Sequence, residues 1–320
     1  ARLRGLDSSP GARFGAAIAT DGERVLVSAP GASGTGVVHE FTRSDGRWTL
    51  AGTLRPPEGT AVREFGRAIA LGEQTVAIGD RGHVHVYSSR GSRWVHEAEL
   101  APTRDEDEFG HAVSITPDVV AVGSPRSDSG SAHLFDRSGS LQEQGRRGSH
   151  RTIIDEPTPG FGRSLATSPG LLIVGGEGTA ATFRRRGDRW DREDDLTPVG
   201  LSNAASFGGT VDCDGRYAVV GVSQGEGESA QRGSAFIFAI DDPQDQAPAS
   251  VAGPDSGVDG AFGAAAVIKG SLAVVGAPGS GNGAVYLFRR TLDRWRLERK
   301  LVTQWRFAPA AVAVGLLFAA

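Results

Sequence analysis

Three histidines recur at matching points of the sequence and are the first residues to suggest chemistry. His39, His85 and His133 each stand two residues before a phenylalanine or tyrosine. Imidazole is a common metal ligand, so histidines from separate strands could together hold a metal ion. The segments that carry them are third strands of a repeat described below, and third strands of neighbouring repeats spread apart. We therefore interpret the three histidines as packing residues, with metal binding as the minor alternative.

No catalytic arrangement stands out from the turns of the chain. The sequence shows no Ser-His-Asp set, no paired-carboxylate motif and no phosphate-binding loop. Its glycine-rich stretch 279–283 joins two predicted strands, whereas a nucleotide cradle joins a strand to a helix. We therefore predict that the protein is not an enzyme, while an enzyme stays an alternative because one fold can host unrelated functions.

One tripeptide invites a specific interpretation. Arg186-Gly187-Asp188 spells the sequence that integrins recognise in their ligands, and it falls at a predicted hairpin tip. The matching tips of two earlier repeats read Ser-Asp-Gly-Arg at 44–47 and Arg-Gly-Ser-Arg at 90–93. We interpret the tripeptide as a chance variant of an arginine-rich turn.

Composition excludes several classes of protein. The chain has 320 residues and 39% hydrophobic content, which is enough to bury a sizeable core and excludes disorder for most of its length. Basic and acidic residues number 34 and 38, so the formal charge of −4 gives no reason to expect nucleic acid as a partner. The single cysteine, Cys213, cannot form an internal disulfide and leaves the compartment open. The apolar stretch 307–320 is shorter than the roughly 18 to 20 residues of a spanning helix, so we expect no complete membrane segment.

The sequence is built from a repeat that begins with Phe-Gly. The intervals between successive copies are 51, 44, 52, 46, 55 and 45 residues. Each good copy continues with a short apolar segment, a tight turn, a second apolar segment that ends in small residues, and a third segment that ends in an aromatic residue. Good copies start at Phe14, Phe65, Phe109, Phe161, Phe207 and Phe262, and a degraded copy starts at Phe307.

A fourth segment follows in most repeats and carries a tryptophan and a leucine. Four tryptophans each precede a leucine by six residues, and even spacing places both side chains on one face of a strand. Four short strands in about 45 to 50 residues are typical of a β-propeller blade, and the glycines and β-branched runs exclude helical solenoids. The pairs are Trp48 with Leu54, Trp94 with Leu100, Trp190 with Leu196, and Trp295 with Leu301.

The repeat resembles the FG-GAP repeat found in integrin α-chain heads and in many bacterial surface proteins. The resemblance is carried by the initial Phe-Gly, by Gly276-Ala277-Pro278 at the second corner and by residues 283–288 in the third strand. It covers nearly the whole chain and implies an all-β, seven-bladed β-propeller that forms a single domain over residues 1–320. Repeats would start near residues 14, 65, 109, 161, 207, 262 and 307.

The resemblance leaves the seventh blade incomplete. Leu3 lies eleven residues before Phe14, as Leu54 does before Phe65. We therefore expect residues 1–6 to form an outer strand that closes the ring onto the last blade. Residues 307–320 either complete that blade or begin a membrane anchor. No signal peptide is visible in the sequence.

Propellers of this family often bind calcium in the turn between the first and second strands. Calcium takes six to eight oxygen ligands from a loop of closely spaced acidic residues, and Asp212 and Asp214 come nearest to such a loop. The flanking ligand positions hold Thr210 and Ala218, so the turn supplies too few oxygens. We predict an ordinary Asp-Gly turn, no calcium and no other cofactor, and retain the two aspartates as weak metal candidates only.

Charge on the loops is the remaining signal for binding. The loops from fourth to first strands are acidic, whereas the turns from third to fourth strands are rich in arginine, and segregation of this kind creates a field across a propeller. The longest loop from a second to a third strand is 224–232, with 31–35 and 126–129 as its counterparts. The candidate ligand-binding residues are Asp105, Glu106, Asp107, Glu108, Gln224, Glu226, Glu228 and Arg232.

These observations predict a non-enzymatic recognition or adhesion module, extracellular or at the cell surface. It would bind a protein or a polysaccharide through loops on one face of the propeller. One alternative is an enzyme or sugar-binding protein that uses the axial pocket, which converging polar side chains on first strands would favour. The other is a structural spacer in a surface protein.

Overall fold

The computed structural model describes residues 3–6, 9–91, 93–102, 108–126, 129–137, 152–198, 206–222, 233–241, 248–253, 260–292 and 294–302. The chain divides into two compact units. Among the described residues, unit 1 comprises those up to Ser124 and those within 131–154, and unit 2 comprises those within 125–130 and 155–302. No helix in the described ranges is long and apolar enough to cross a membrane.

Unit 1 contains three sheets of four strands. The first sheet holds β1 (Ile18–Thr20), β2 (Arg24–Ala29), β3 (Val37–Ser44) and β4 (Arg47–Leu54), with 3-10 turns at Pro10–Ala12 and Ala32–Gly34. The second holds β5 (Ala68–Leu71), β6 (Thr75–Gly79), β7 (Val84–Arg90) and β8 (Arg93–Leu100). The third holds β9 (Ala112–Ile115), β10 (Val119–Pro125), β11 (Gly130–Asp136) and β12 (Thr152–Glu156), whose last residues belong to unit 2.

Unit 2 contains the other three sheets. The fourth sheet holds β13 (Ser164–Ser168), β14 (Leu171–Gly175), β15 (Ala180–Arg186) and β16 (Arg189–Asp195). The fifth holds β17 (Phe207–Cys213), β18 (Tyr217–Val222), β19 (Ser234–Ala239) and β20 (Ala249–Val251). The sixth holds β21 (Ala265–Lys269), β22 (Leu272–Ala277), β23 (Ala284–Thr291) and β24 (Arg294–Val302). In every sheet the strand order follows the sequence, as in a propeller blade.

The apolar core lies between successive sheets, because each sheet buries side chains on both of its faces. One cluster joins Leu26 and Leu54 of the first sheet to Phe65 and Ile78 of the second. Leu100 of the second sheet likewise packs with residues of the third. Trp94 packs instead on the side of the first sheet, so the prediction that tryptophan and leucine share one face of the fourth strand is wrong there, because a register shift between β7 and β8 turns the two side chains to opposite faces. Corresponding clusters join the fourth sheet to the fifth and the fifth to the sixth.

The Phe-Gly pair joins two neighbouring sheets through backbone hydrogen bonds. The Phe65 N–H donates to the Thr35 carbonyl of the preceding sheet at 2.8 Å, and the Gly66 N–H donates to the Gly79 carbonyl of its own sheet at 3.0 Å. Gly66 has φ +92°, and a Cβ added there would stand 2.8 Å from the Cβ of Ser28. Glycine is required because only it tolerates both this conformation and this close approach.

The prediction of seven blades is wrong, because the described residues form six four-stranded sheets. Each sheet uses one of the six good Phe-Gly copies, whereas the degraded copy at Phe307 has alanine in place of the glycine. Residues 307–320 lie outside the described ranges, so the two roles considered for them, completing a blade or beginning an anchor, stay predictions. Among the described N-terminal residues, 3–6 form no strand, which counters the predicted closing strand. Leu3 instead packs beside Val25 and Phe41 of the first sheet, where its apolar side chain finds partners.

Candidate functional site

Each unit has two ends at which loops join its strands. The Phe-Gly face is the end of the sheets that holds the Phe-Gly pairs and the loops from second to third strands. The hairpin face is the opposite end, with the turns that join the first strand to the second and the third to the fourth. Of the eight predicted ligand-binding residues, only Glu108 lies within the described ranges, on the Phe-Gly face. The other seven lie outside them, so their binding role stays a prediction; they are Asp105, Glu106, Asp107, Gln224, Glu226, Glu228 and Arg232.

Glu108 belongs to a three-residue polar cluster on the Phe-Gly face of unit 1. Arg67 and His111 each follow a Phe-Gly pair and directly precede a first strand, β5 or β9. The Arg67 Nη2 donates to Glu108 Oε2 and lies 2.7 Å from His111 Nδ1, and His111 Nδ1 is 3.3 Å from the same Glu108 oxygen. Backbone hydrogen bonds of the two Phe-Gly pairs fix the segments that carry these residues. The packing therefore brings the Glu108 carboxylate, the His111 imidazole and the Arg67 guanidinium together.

The electrostatics of this cluster favour an ionised Glu108. Burial raises the pKa of Glu108, but hydrogen bonds from His111 and Arg67 outweigh burial and lower that pKa below its usual value. The other guanidinium nitrogen of Arg67, Nη1, is buried and has no hydrogen-bond partner among the described residues. The cluster therefore holds a carboxylate and a cation with a donor still to be satisfied, and a buried donor without a partner costs about 1–3 kcal/mol.

A second charged cluster on the same face surrounds Glu64, the residue before Phe65. Glu64 Oε1 is 2.7 Å from Arg13 Nη2, and its Oε2 is 3.6 Å from Arg81 Nε. Glu64 and Arg13 have φ values of +60° and +54°, a left-handed conformation that non-glycine residues rarely adopt. About half of each arginine side chain is exposed. Exposed pairs contribute only about 0–1 kcal/mol to stability, so the arrangement matters more for surface charge than for folding.

Several glutamates of the fourth-to-first loops form ion pairs with arginines. In unit 1, the described glutamates of the fourth-to-first loops at positions 64 and 108 are paired with arginine. In unit 2, Glu156 pairs with Arg192 at 2.5 Å. The described part of the Phe-Gly face therefore presents interleaved charges of both signs. The sequence predicted acidic fourth-to-first loops, and arginines next to Phe-Gly or on neighbouring strands pair with three of those carboxylates, Glu64, Glu108 and Glu156.

Beneath this face lies a buried aspartate–histidine pair in the second sheet. Asp80 and His85 are both 0% exposed, and His85 Nε2 donates to Asp80 Oδ2 at 2.9 Å. The other oxygen, Asp80 Oδ1, accepts the His83 backbone N–H at 2.7 Å. Burial raises the pKa of Asp80, but the hydrogen bonds from His83 and His85 outweigh it and lower the pKa overall. The pair fixes the corner between β6 and β7 and so positions the loop at the surface.

The three recurring histidines pack against the phenylalanines of their own repeats. Their ring centroids lie 5.7, 5.6 and 5.1 Å from those of Phe14, Phe65 and Phe109. Each histidine is at most 1% exposed, and each faces the Phe-Gly pair of its own sheet. Across the described ranges, no group of three or more His, Cys, Asp or Glu side chains is arranged to hold a metal ion.

The two aspartates considered for calcium bind backbone amides instead. Asp212 Oδ2 accepts the Ile268 N–H at 2.8 Å, and Asp214 Oδ2 accepts the Gly270 N–H at 2.6 Å. The second Asp214 oxygen accepts the N–H groups of Arg216 and Tyr217. Three of the four carboxylate oxygens are therefore used within the protein, and both side chains join the fifth sheet to the sixth.

The tripeptide at 186–188 lies on the hairpin face, where β15 turns into β16. Arg186 pairs with Arg189 across this two-residue turn, and Gly187 has φ +65°. The Arg186 Nε is 3.6 Å from Asp191 Oδ2 on the same hairpin, so the motif forms an ordinary tight turn. In unit 1, a shallow groove at the hairpin end of the first sheet is lined by Glu23, Arg24, Arg43 and Asp45.

Arg67, His111 and Arg13 were not predicted as site residues. A signal was present, because five of the six residues that flank Phe-Gly in the first three repeats are charged or histidine: Arg13, Glu64, Arg67, Glu108 and His111. The contacts among them could not be read from the sequence, because the interacting residues are 41 to 51 positions apart and meet only when successive sheets pack.

Comparisons with known proteins agree with this architecture. Residues 94–135, from β8 to β11, match the model of the FG-GAP repeat. No curated protein matches the chain. A putative 6-phosphogluconolactonase from Bacteroides uniformis is 13% identical with a TM-score of 0.61, and the match covers 90% of this chain and 85% of that one.

Two further solved structures are similar to the same extent. The WD40 domain of Toxoplasma gondii coronin is 11% identical with a TM-score of 0.61, and the match covers 90% of this chain and 70% of that one. A functionally unknown protein from Desulfotomaculum acetoxidans is 15% identical with a TM-score of 0.59, with 86% and 79% covered. At these identities the likeness shows a β-propeller fold and no more.

Proposed function

For a β-propeller that carries an FG-GAP repeat, we propose a recognition module that acts outside the cell or at its surface. It binds a protein or a polysaccharide through the Phe-Gly face and catalyses no reaction. The observation that carries this proposal is the Arg67–Glu108–His111 cluster. It stands next to the Arg13–Glu64–Arg81 cluster and presents charges of both signs on a backbone fixed between successive sheets.

Two physical properties of these clusters suit them to recognition. Their side chains are held by mutual hydrogen bonds on segments that the Phe-Gly pairs fix, so little side-chain freedom remains to be lost on binding. Interleaved charges also select partners, because like charges that face each other across an interface are costly.

The test begins with a screen of the purified domain against protein and glycan arrays. A captured partner is then measured by surface plasmon resonance against Glu108→Gln and Arg67→Gln. We expect each variant to lose at least about tenfold in affinity, because removing a side chain that dominates the contact with a partner typically costs about 2 kcal/mol or more.

Arg186→Gln provides the control, because it removes an arginine from an ion pair on the hairpin face. Equal losses for the control and the Phe-Gly-face variants would mean that the contact surface lies elsewhere. A domain that captures nothing across both arrays, while remaining folded, would favour the structural spacer.

The same cluster favours one second candidate, an enzyme. Glu108 and His111 lie 3.3 Å apart, a distance at which one group can hand a proton to the other, and Arg67 could stabilise a developing negative charge. Hydrolysis of a lactone that carries an anionic group is the reaction class to assay first. We expect no rate above that of buffer. A rate that disappears in both Glu108→Gln and His111→Ala would replace recognition with catalysis.

A further inference from the structure

The outer strand of the sixth sheet, β24, is strongly basic. It carries four basic side chains and one acidic one: Arg294, Arg296, Arg299, Lys300 and Glu298. The three arginines are exposed, and none of them forms an ion pair with another described residue. The single carboxylate is already engaged, because Glu298 Oε2 lies 2.5 Å from Arg289 Nε. The strand therefore presents positive charge that the described part of the chain does not neutralise.

The three arginines lie on one face of the sixth sheet. Their partners in the register are every second residue of β23, namely Thr291 for Arg294, Arg289 for Arg296, and Leu287 for Arg299. Alternate residues of a strand point to the same face, and residues opposite each other in a register share that face. Phe288, between two of these partners, belongs to the core between the fifth and sixth sheets. The arginines therefore line the face that is turned away from the fifth sheet.

A bulge keeps the third arginine in line with the other two. Arg296 and Arg299 are three positions apart, a spacing that would place them on opposite faces of a regular strand. The register shifts at this point and leaves Glu298 without an opposite residue, and one extra residue of this kind restores the alternation. Alternate residues of a strand are about 7 Å apart, so the three positions form a row about 14 Å long. We call Arg294, Arg296 and Arg299 the arginine row.

The row belongs to the sixth sheet and is not a general feature of the repeat. The residues that match Arg296 and Arg299 are Thr49 and Gly52 in the first sheet, Val95 and Ala98 in the second, and Asp191 and Asp194 in the fourth. Charge on an edge strand commonly prevents pairing with other chains. The first and second sheets have only one arginine in the matching row, Arg47 or Arg93, so the full row exceeds what their outer strands use.

We propose that the arginine row binds an extended acidic segment of another protein, with acidic side chains at every second position. Alternate residues of an extended peptide are also about 7 Å apart, so successive carboxylates of such a segment meet successive arginines. Arginine and carboxylate groups form strong, often bidentate hydrogen bonds. β24 pairs only with β23, so its outer edge on either side of the bulge can also bond the backbone of the added segment.

Two other occupants fit the row less well. A second copy of the chain that paired its own β24 with this one would place arginines near arginines, and like charges across a strand pair are destabilising. The acidic strand β16 of a second copy is a weaker match, because Asp191 Oδ2 already lies 3.6 Å from Arg186 Nε. A polysaccharide spaces its anionic groups by its sugar rings, and not by the alternation of an extended peptide.

The row is independent of the site proposed above. β24 belongs to unit 2, whereas the clusters around Glu64 and Glu108 belong to unit 1. Binding at the row is therefore tested without any partner of the Phe-Gly face. Glu108→Gln should bind an acidic peptide as tightly as the wild type does.

Fluorescence anisotropy with a labelled heptapeptide of alternating glutamate and threonine tests the proposal. At low salt, we expect the wild type to bind it at least about threefold more tightly than an isomer with its four glutamates in one block. The block places only two glutamates on either face of an extended chain. The affinity should fall as salt is raised, because the charges are exposed.

Two double variants and one matched control locate the binding. Arg296→Gln with Arg299→Gln should weaken binding about fivefold, as expected for the loss of two exposed charge pairs. Arg296→Asp with Arg299→Asp, which installs the residues of the fourth sheet, should abolish it. Arg47→Gln with Arg93→Gln removes two exposed arginines from other outer strands and should leave the affinity unchanged. Circular dichroism checks that each variant is folded, and exposed substitutions of this kind seldom disturb folding.

Several results would overturn the proposal. One is equal binding of the alternating and block peptides, and another is peptide binding that persists in the aspartate variant. Dextran sulfate that binds where the peptide does not, and is lost in the same variant, would assign the row to a polysaccharide. Self-association of the wild type that the aspartate variant abolishes, measured by sedimentation, would assign it to a second copy. A wild type that binds no peptide, together with a glutamine variant that self-associates, would show that the arginines only protect the edge.

Discussion

Removing the Asp80 carboxylate should destabilise the protein by more than the loss of one small side chain usually does. Asp80→Ala leaves two groups of the second sheet without their acceptor, the His83 N–H and His85 Nε2. Each buried polar group left unsatisfied costs about 1–3 kcal/mol, and breaking a buried pair by removing one partner costs about 3–5 kcal/mol. We expect the free energy of unfolding to fall by about 3–4 kcal/mol.

The chain offers a matched control for this substitution. Ser124 occupies the same corner of the third sheet, is also 0% exposed, and its hydroxyl has no hydrogen-bond partner among the described residues. Ser124→Ala should therefore cost less than about 1 kcal/mol. Urea unfolding followed by tryptophan fluorescence compares the two variants with the wild type. Equal losses for both variants would show that the pair contributes no more than an ordinary small polar residue.

The pH dependence gives the same prediction a second check. The folded pKa of Asp80 is lowered because the hydrogen bonds from His83 and His85 outweigh its burial. Its contribution is therefore present above the unfolded value of 3.8 and is lost as the pH falls through the folded value. The advantage of wild type over Asp80→Asn should shrink as the pH is lowered from 6 toward 3. An advantage that stays constant over this range would contradict the role of the carboxylate charge.

Three further predictions concern metal, thiol and surface charge. A ligand that binds only the folded protein raises its melting temperature. Because we expect no calcium to bind, the melting temperature should differ by less than about 2 °C between chelator and millimolar calcium; a rise of many degrees that Asp214→Ala abolishes would show a calcium site. Burial and the neighbouring Asp212 charge raise the pKa of Cys213 to about 12, so a thiol reagent at pH 8 should label it only after unfolding; rapid labelling of the folded protein would contradict its buried position. Neutralising Asp105, Glu106, Asp107 and Glu108 should slow partner capture, more so at low salt, whereas replacing Arg184, Arg185 and Arg186 should leave it intact; the opposite result would move the binding surface to the hairpin face.

Much of the fold could be predicted from the sequence because each blade repeats one local pattern. The six good Phe-Gly copies correspond to six sheets. The even spacing from Trp48 to Leu54 predicted one face for both side chains, but a register shift between β3 and β4 places them on opposite faces of the first sheet. The count of seven went wrong at Phe307, where a degraded copy of the signature was counted as an incomplete seventh blade. Phe-Gly marks the start of a repeat, but a blade exists only where three more strands follow to pair with the first.

The candidate site was predicted only in part, because its chemistry depends on contacts between repeats. Glu108 was selected for its charge, yet its partners Arg67 and His111 were not, and Asp212 was set aside as a turn residue. The alternation of residues along one strand predicts which of its side chains are buried. It does not predict which charged side chain of the next blade will contact a given residue.

The sequence by itself determined the all-β class, the four-stranded repeat, the positions of the turns and the Phe-Gly pair that begins each repeat. These features follow from period-two alternation, from glycine conformations and from short-range hydrogen bonding, all of which act within a few residues. Only the tertiary structure decided that Glu64 and Glu108 are neutralised by arginines and that Asp80 holds a buried histidine. It alone showed Asp212 bridging two sheets. Charge pairing and burial depend on distances between residues up to 56 positions apart, and those distances are fixed only when the blades pack.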